Sequence, residues 1–163
     1  MGIRIRPYKK SDFNSVSKLF DDFQNFIVEI DDLKRCLRPD GYGNLYTNLI
    51  LKRIRKTNGF IFIAEANKKI TGLIAGEIEK LKTEDILGCV PTKSGRILEL
   101  FIDEKERGKG LGSSLMKKAE DYFRSTGCDL VRLDVFSPNK RTHTFYLKQK
   151  YADRVIDMIK ILG

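Results

Sequence analysis

Tryptophan is absent from the 163 residues, histidine occurs once and cysteine only three times. With His143 as the only imidazole, a histidine-based metal centre is excluded. Cys36, Cys89 and Cys128 are odd in number, widely separated and free of any C-x-x-C pair, so neither a zinc site nor a disulfide framework is expected. A cysteine nucleophile would need a base beside it, and His143 reads instead as a surface or groove-side residue. Long apolar runs are missing too: each is broken by charge well short of the ~20 residues that span a bilayer. The start, Met-Gly-Ile-Arg-Ile-Arg, lacks the apolar stretch of a secretion signal. There is no repeat, low-complexity tract or Pro/Ser/Gly-rich linker. These absences lead us to expect one domain over residues 1–163, cytoplasmic and without a bound metal. A chain of this length buries roughly 70% of its unfolded surface, enough for a core that needs no covalent staple.

Charge of one sign is in excess. Lys plus Arg number 31 against 22 acids, a net charge of +9. Such a surface suits nucleic acid, an anionic membrane or a polyanionic small molecule. Lys105, Arg107, Lys109, Lys117, Lys118, Lys140 and Arg141 gather about two motifs described below. Lys68, Lys69, Lys80, Lys82 and Lys93 lie elsewhere and read as solvated surface. No aromatic-interleaved basic stripe accompanies them, which argues against nucleic acid.

The most informative stretch runs from Ile97 to Phe123. Ile97, Leu98, Leu100, Phe101 and Ile102 form a short apolar run of strand type, and Leu111, Leu115, Met116, Ala119, Tyr122 and Phe123 repeat at helical spacing. Between them, Gly108, Gly110 and Gly112 open the backbone at a helix start. Exposed N–H groups there, with the positive end of the helix dipole, favour phosphate oxygens. A nucleotide P-loop requires G-x-x-x-x-G-K-[ST], but Lys109 precedes the last two glycines. The dinucleotide pattern G-x-G-x-x-G fails as well, because Ser113 occupies the third glycine position.

Further on, Gly127 suits a helix C-cap, Leu130 to Phe136 reads as a strand, and Ser137-Pro138 can cap and open another helix. That helix carries Asn139, Thr142, Phe145 and Tyr146.

Together these stretches resemble the GNAT superfamily of acetyl-CoA-dependent N-acetyltransferases. Arg107, Gly110 and Gly112 match its R/Q-x-x-G-x-G/A loop; Asn139, Phe145, Tyr146 and Tyr151 match N-x-x-A-x-x-F-Y-x-x-x-G-F. Thr142 replaces the usual alanine and Lys150 the usual glycine, and the latter puts the turn after the helix in question because glycine would serve a left-handed cap. The resemblance implies an α/β fold with a mixed, mostly antiparallel sheet flanked by helices and splayed into a V-shaped slot. It implies acetyl-CoA as co-substrate, with its pyrophosphate on Arg107, Gly108, Lys109, Gly110, Leu111, Gly112 and Ser113. The backbone of Leu100, Phe101 and Ile102 would meet the pantetheine arm, and Asn139 would contact it too.

The rest of the chain fits that layout. Ile3 to Arg6 alternates like a strand, and Phe13, Val16, Leu19, Phe20 and Phe23 begin a helix that Phe26, Ile27 and Ile30 carry onward. After a loop at Pro39 to Gly43, Leu45, Leu49, Leu51 and Ile54 suggest a second helix. Phe60 to Glu65 and Ile70 to Ile78 suggest a hairpin, and Arg154 to Leu162 a last strand.

Transfer to a lysine-type amine of pKa about 10.4 needs a base near neutral pH, and a thiol leaving group of pKa about 8.5 gains from an acid. Glu99 is the candidate base, expected to point away from the face that Leu98 and Leu100 share. It also reads as a plain surface glutamate. Tyr146 is the acid the resemblance implies, and it also reads as a core aromatic. Asp21, Asp22, Glu29, Asp31 and Asp32 suggest an acceptor wall that draws a cationic amine, or simply a solvated face. The function expected is acetyl transfer to a primary amine of a small molecule or peptide, by direct attack in a ternary complex. A non-catalytic CoA-binding module is the alternative, and a nucleic-acid-binding protein a weaker one. A homodimer is compatible with the sequence.

Overall fold

The computed structural model describes residues 2–80 and 83–162; Met1, Lys82 and Gly163, on which readings above touch, lie outside them. Five strands form one sheet in the order β1-β2-β3-β4-β5: β1 (Arg4–Pro7), β2 (Phe60–Ala66), β3 (Lys69–Ile78), β4 (Ser94–Ile102) and β5 (Leu130–Arg132). The first four pair antiparallel, and β5 joins β4 in parallel. The helices are α1 (Phe13–Ile30), α2 (Tyr42–Lys56), the short α3 (Thr83–Gly88), α4 (Leu111–Ser125) and α5 (Lys140–Lys148). The mixed, mostly antiparallel α/β fold is the one expected.

β2 and β3 are buried along most of their length because helices cover both faces of the sheet. On one face Phe60, Phe62, Ile74, Leu115, Met116 and Phe123 pack under α4. On the other, Val16, Phe20, Ile50, Ile61, Ile63 and Leu73 pack under α1 and α2. Asn67 and Lys68, both at positive φ (52° and 61°), make the tight turn of the β2–β3 hairpin, whose backbone twist matches its strands.

α2 lies very close to α1. A Cβ on Gly43 would stand 2.1 Å from the Ser17 carbonyl oxygen, so only glycine permits this approach. The hydroxyls of Ser17 and Thr47 share a hydrogen bond of 2.9 Å at the same contact. The buried side of α2 is therefore Gly43, Thr47 and Ile50, while Leu45 and Leu49, which carried part of the helical pattern, are 66% and 54% exposed.

Three further expectations are corrected. Asn139, and not Ser137, caps α5: its Oδ1 accepts the Thr142 N–H at 3.2 Å. Only Leu130 to Arg132 of the expected fifth strand pair with β4; the chain then leaves the sheet. Arg154 to Leu162 forms no strand, because no described strand lies alongside to complete its backbone hydrogen bonds.

Lys150 resolves the question raised by the missing glycine. It adopts φ +66°, the left-handed conformation that the glycine would have taken. The Lys150 N–H donates to the Leu147 carbonyl and the Tyr151 N–H to that of Tyr146, each at 3.0 Å. The Tyr146 and Tyr151 rings meet edge to face at 5.7 Å, the apolar contact that accompanies such a cap. The apolar clasp holds a non-glycine residue where strain would otherwise disfavour it.

Candidate active site

β4 carries an irregularity that decides the site. Ala75 of β3 faces Glu99 and Gly76 faces Ile97, so Leu98 is an extra residue without a partner. This is a β-bulge, and it reverses the phase of every side chain after it. Ile97 and Leu100 thus both pack toward α4, while Leu98 and Phe101 pack toward α1 and α2. The expectation that Leu98 and Leu100 share a face is overturned. Glu99 follows Leu98 onto the α2 side, opposite Ala75 of that same core.

There the half-buried Glu99 carboxylate accepts a hydrogen bond from the Tyr46 hydroxyl of α2. Tyr46 is fixed by stacking on Tyr42 (5.3 Å between centroids) and by the edge of Phe20 (5.0 Å). Loss of hydration pushes the Glu99 carboxyl up to about 7, although the Tyr46 hydrogen bond pulls the other way. Burial and the nearby carboxylate push Tyr42 up to about 12 and raise Tyr46 strongly. Glu99 is therefore poised to gain or lose a proton near neutral pH, as a general base requires.

Beside Tyr46 opens a cavity of about 730 Å³, lined by Arg53, Glu77, Glu79 and Arg96 among others. Both arginines there are paired: Arg53 binds Glu77 through two hydrogen bonds, and Arg96 reaches Glu79 at 2.5 Å and Asp134 at 2.8 Å. The acidic residues of α1 and of the loop after it are not part of this lining. Asp31 is buried and accepts the N–H groups of Leu33, Arg35 and Cys36 at 2.6 to 3.1 Å, bonds that hold its carboxyl below the usual range. It shapes the loop after α1 and is not available to draw an amine.

Beyond Arg96, β4 and β5 separate. Pairing stops at Arg96 and Arg132, which leaves the β4 edge from Ile97 to Ile102 without a strand partner on that side. Leu100, Phe101 and Ile102 lie on this open edge. Tyr146, on α5, is buried against Phe145 and Tyr151 and feels the charge of Glu99 across the gap. Burial, more than that charge, raises its phenol strongly, so it stays protonated at neutral pH and can act as a donor.

The open edge leads into the glycine turn. Asp103 caps a short 3-10 turn by accepting the Lys105 N–H at 3.0 Å, and the Arg107 Nε donates to the Ile102 carbonyl at 3.1 Å. Gly108 and Gly110 take φ +80° and +82°. α4 starts without a side-chain cap, so among the described residues the N–H groups of Leu111, Gly112 and Ser113 have no backbone acceptor. Gly112 serves a different need from the other two: a Cβ there would press on the Phe145 ring at 3.2 Å, so it lets α5 approach α4. Asn139 spends its Oδ1 on the α5 cap, which leaves its amide N–H groups free.

Sequence reading singled out Glu99, the turn and Tyr146, and Tyr146 lies near enough to Glu99 to feel its charge. It missed Tyr46, whose only signal was an apolar position on a helix. His143 stands apart, its Nε2 2.7 Å from Asp153. Among the described residues no cluster of His, Cys, Asp and Glu has metal-binding geometry, and no helix is long and apolar enough to cross a membrane.

The model of the acetyltransferase (GNAT) family matches residues 27–151. The chain belongs to the GNAT family. Two uncharacterized N-acetyltransferases of Methanocaldococcus jannaschii are similar to it. One is 28% identical over 66% of this chain and the other 29% identical over 93%. In each case the match spans 62% of the relative's own length. A solved GCN5-related N-acetyltransferase from Ralstonia eutropha shares the fold with a TM-score of 0.72 at 19% identity, covering 99% of this chain and 100% of that one.

Proposed function

We propose that the chain is one N-acetyltransferase domain over residues 1–163 that moves the acetyl group of acetyl-CoA to a primary amine by direct attack in a ternary complex. The observation that carries this reading is Glu99: a carboxyl raised to about 7, held by Tyr46, on the stretch of β4 whose edge β5 leaves open. A module that only bound CoA would have no use for a carboxyl so placed.

The fit to acetyl-CoA rests on this chain's own groups. The unsatisfied N–H groups of Leu111, Gly112 and Ser113, with Arg107, Gly108, Lys109 and Gly110 around them, suit a pyrophosphate at the start of α4. The Leu100 to Ile102 backbone offers strand-like hydrogen bonds to the amides of pantetheine, and the free amide of Asn139 adds one more. Bound acetyl-CoA supplies the thioester.

Glu99 takes a proton from the ammonium form of the acceptor, directly or through water, so that a neutral amine is presented. Tyr146 delivers its phenolic proton to the departing sulfur. N–H groups on the β4 edge steady the charge that grows on the carbonyl oxygen. Holding both partners in one slot supplies a large part of the rate.

The acceptor enters by the 730 Å³ cavity. With Asp31 committed to its loop, a purely cationic acceptor loses its best support. The paired arginines and glutamates there suit a polar amine bearing hydroxyl or charged groups. A cytoplasmic setting remains part of this proposal.

The test is thiol release from acetyl-CoA with a panel of small amines, amino sugars and peptides, run beside thermal shifts with acetyl-CoA, CoA and DNA. Stabilisation by acetyl-CoA with turnover on at least one amine is expected. Stabilisation by DNA alone would overturn the reading, and binding without turnover across the panel would favour the CoA-binding module.

A further inference from the structure

The last residues to pair before β4 and β5 part are arginine opposite arginine. Arg96 and Arg132 are register partners, and like charges in that position repel. Ile97 packs toward α4, so its neighbour Arg96 faces α2, the face that Glu99 takes after the bulge. Arg132 joins them there through Glu79, whose carboxylate lies between the two guanidinium groups. The Arg96 Nε donates to one oxygen at 2.5 Å, and the Arg132 Nε stands 3.8 Å from the other. That second oxygen already accepts the Ser94 hydroxyl at 2.9 Å.

One acid thus serves two arginines, and Arg132 is left short. At 3.8 Å its Nε is beyond hydrogen-bond reach of Glu79, and it is buried with no acceptor among the described residues. A buried donor without a partner is costly in a folded protein. The side chain as a whole is 30% exposed, so a ligand can reach the guanidinium that its neighbours do not satisfy. Arg96 is the other half of the pair. Its Nη1 donates to Asp134 at 2.8 Å, but Asp134 is 90% exposed. An ion pair on so exposed a carboxylate adds little stability, and a ligand anion can replace it. Arg53, in contrast, is committed: its Nε and Nη2 both bind the buried Glu77.

We propose that Arg96 and Arg132 form an anion clamp, and that the acceptor is a small primary amine carrying an oxyanion group, carboxylate or phosphate, on a short spacer. The placing of the amine rests on the acetyl-transfer reading above. Glu99 lies three residues beyond Arg96, one of them taken up by the bulge, so the two ends are roughly 7 to 10 Å apart along the strand. A spacer of a few carbons covers that distance. The planar fork of arginine binds a carboxylate or phosphate through two parallel hydrogen bonds, which a lysine could not do. A diamine would set its second ammonium against two guanidinium groups, so the clamp rejects cations as well as attracting anions.

Calorimetry on the 163-residue chain loaded with CoA tests this with amines built on one four-carbon chain: aminobutanol, putrescine, γ-aminobutyrate and aminobutyl phosphate. At least one of the two anionic amines should bind about 10-fold or more tightly than aminobutanol, and putrescine should bind most weakly. The tighter of the anionic two tells carboxylate from phosphate. Arg132→Gln should remove the preference and Arg132→Lys keep part of it, while stabilisation by acetyl-CoA reports that each variant is folded. Thiol release with the same amines should place the loss in KM rather than kcat. Equal binding of all the amines, tighter binding of putrescine, or no binding of either anionic amine overturns the proposal. So does an Arg132→Gln variant that keeps the preference or weakens every amine alike. The expected order of binding without any thiol release would support the clamp and overturn the acetyl-transfer reading instead.

Discussion

The hydroxyl of Tyr46 donates a hydrogen bond to the carboxylate of Glu99, joining α2 to the bulge of β4. The bond stabilises the ionised carboxylate, while the surrounding protein favours the neutral acid. The two effects oppose each other, and desolvation wins, which leaves the group near 7.

Tyr46→Phe removes the donor and leaves desolvation in place. The carboxyl then rises further, and the acidic limb of the kcat/KM profile moves to higher pH. Tyr42 from the same helix, Arg53 near Tyr46 and Tyr146 across the slot are unchanged, so activity well above neutral pH is largely kept. A profile that falls uniformly at all pH values would mean that Tyr46 only supports the fold.

Glu99→Gln should lower turnover at neutral pH by about 10²-fold or more, with partial recovery as alkaline pH deprotonates the amine without help. It also changes stability. The folded carboxyl binds its proton up to about 7 and the unfolded one only to 4.5. Between these values the native state holds more protons, so wild-type stability falls as pH rises through that window. The glutamine variant lacks this fall. Melting temperatures at acidic and alkaline pH should show it gaining on the wild type as pH rises.

Tyr146→Phe and Gly110→Asp separate chemistry from binding. The first removes a proton donor but keeps the ring packed on Phe145 and Tyr151, so kcat falls while acetyl-CoA affinity holds. The second strains a backbone at φ +82° and sets a negative charge at the start of α4, so affinity falls. Calorimetry with acetyl-CoA beside steady-state kinetics reads both, and equal effects on both parameters in both variants would contradict the division.

Gly43→Ala forces α1 and α2 apart, because its Cβ would meet backbone at 2.1 Å. A loss of about 1–3 kcal/mol in chemical denaturation is expected, as for an overpacked core. Since α2 carries Tyr46, activity should drop in the fraction that remains folded.

Local pattern in the sequence carried much of this fold and site. The glycine turn, the helix after it and the Phe145-Tyr146 pair each announce themselves by residues close together in the chain, and Gly112 and Phe145 meet in the structure. Tyr46 could not be found that way. It stands 53 residues from Glu99, and only the glycine-permitted approach of α2 to α1 brings it there. The bulge was equally silent, since Ile97-Leu98-Glu99-Leu100 holds no glycine or proline to mark it. Arg154 to Leu162 has the propensity of a strand, yet a strand exists only with a neighbour, and propensity says nothing of where the neighbour is.

Two changes in β4 fall within two residues of each other: its partnership with β5 ends at Arg96, and its side-chain phase reverses at Leu98. The strand thus behaves as two short pieces with separate obligations. Residues 94–96 answer to β5, and residues 99–102 to the slot and to α2. Substitutions acquired in one piece need not be matched by changes in the other.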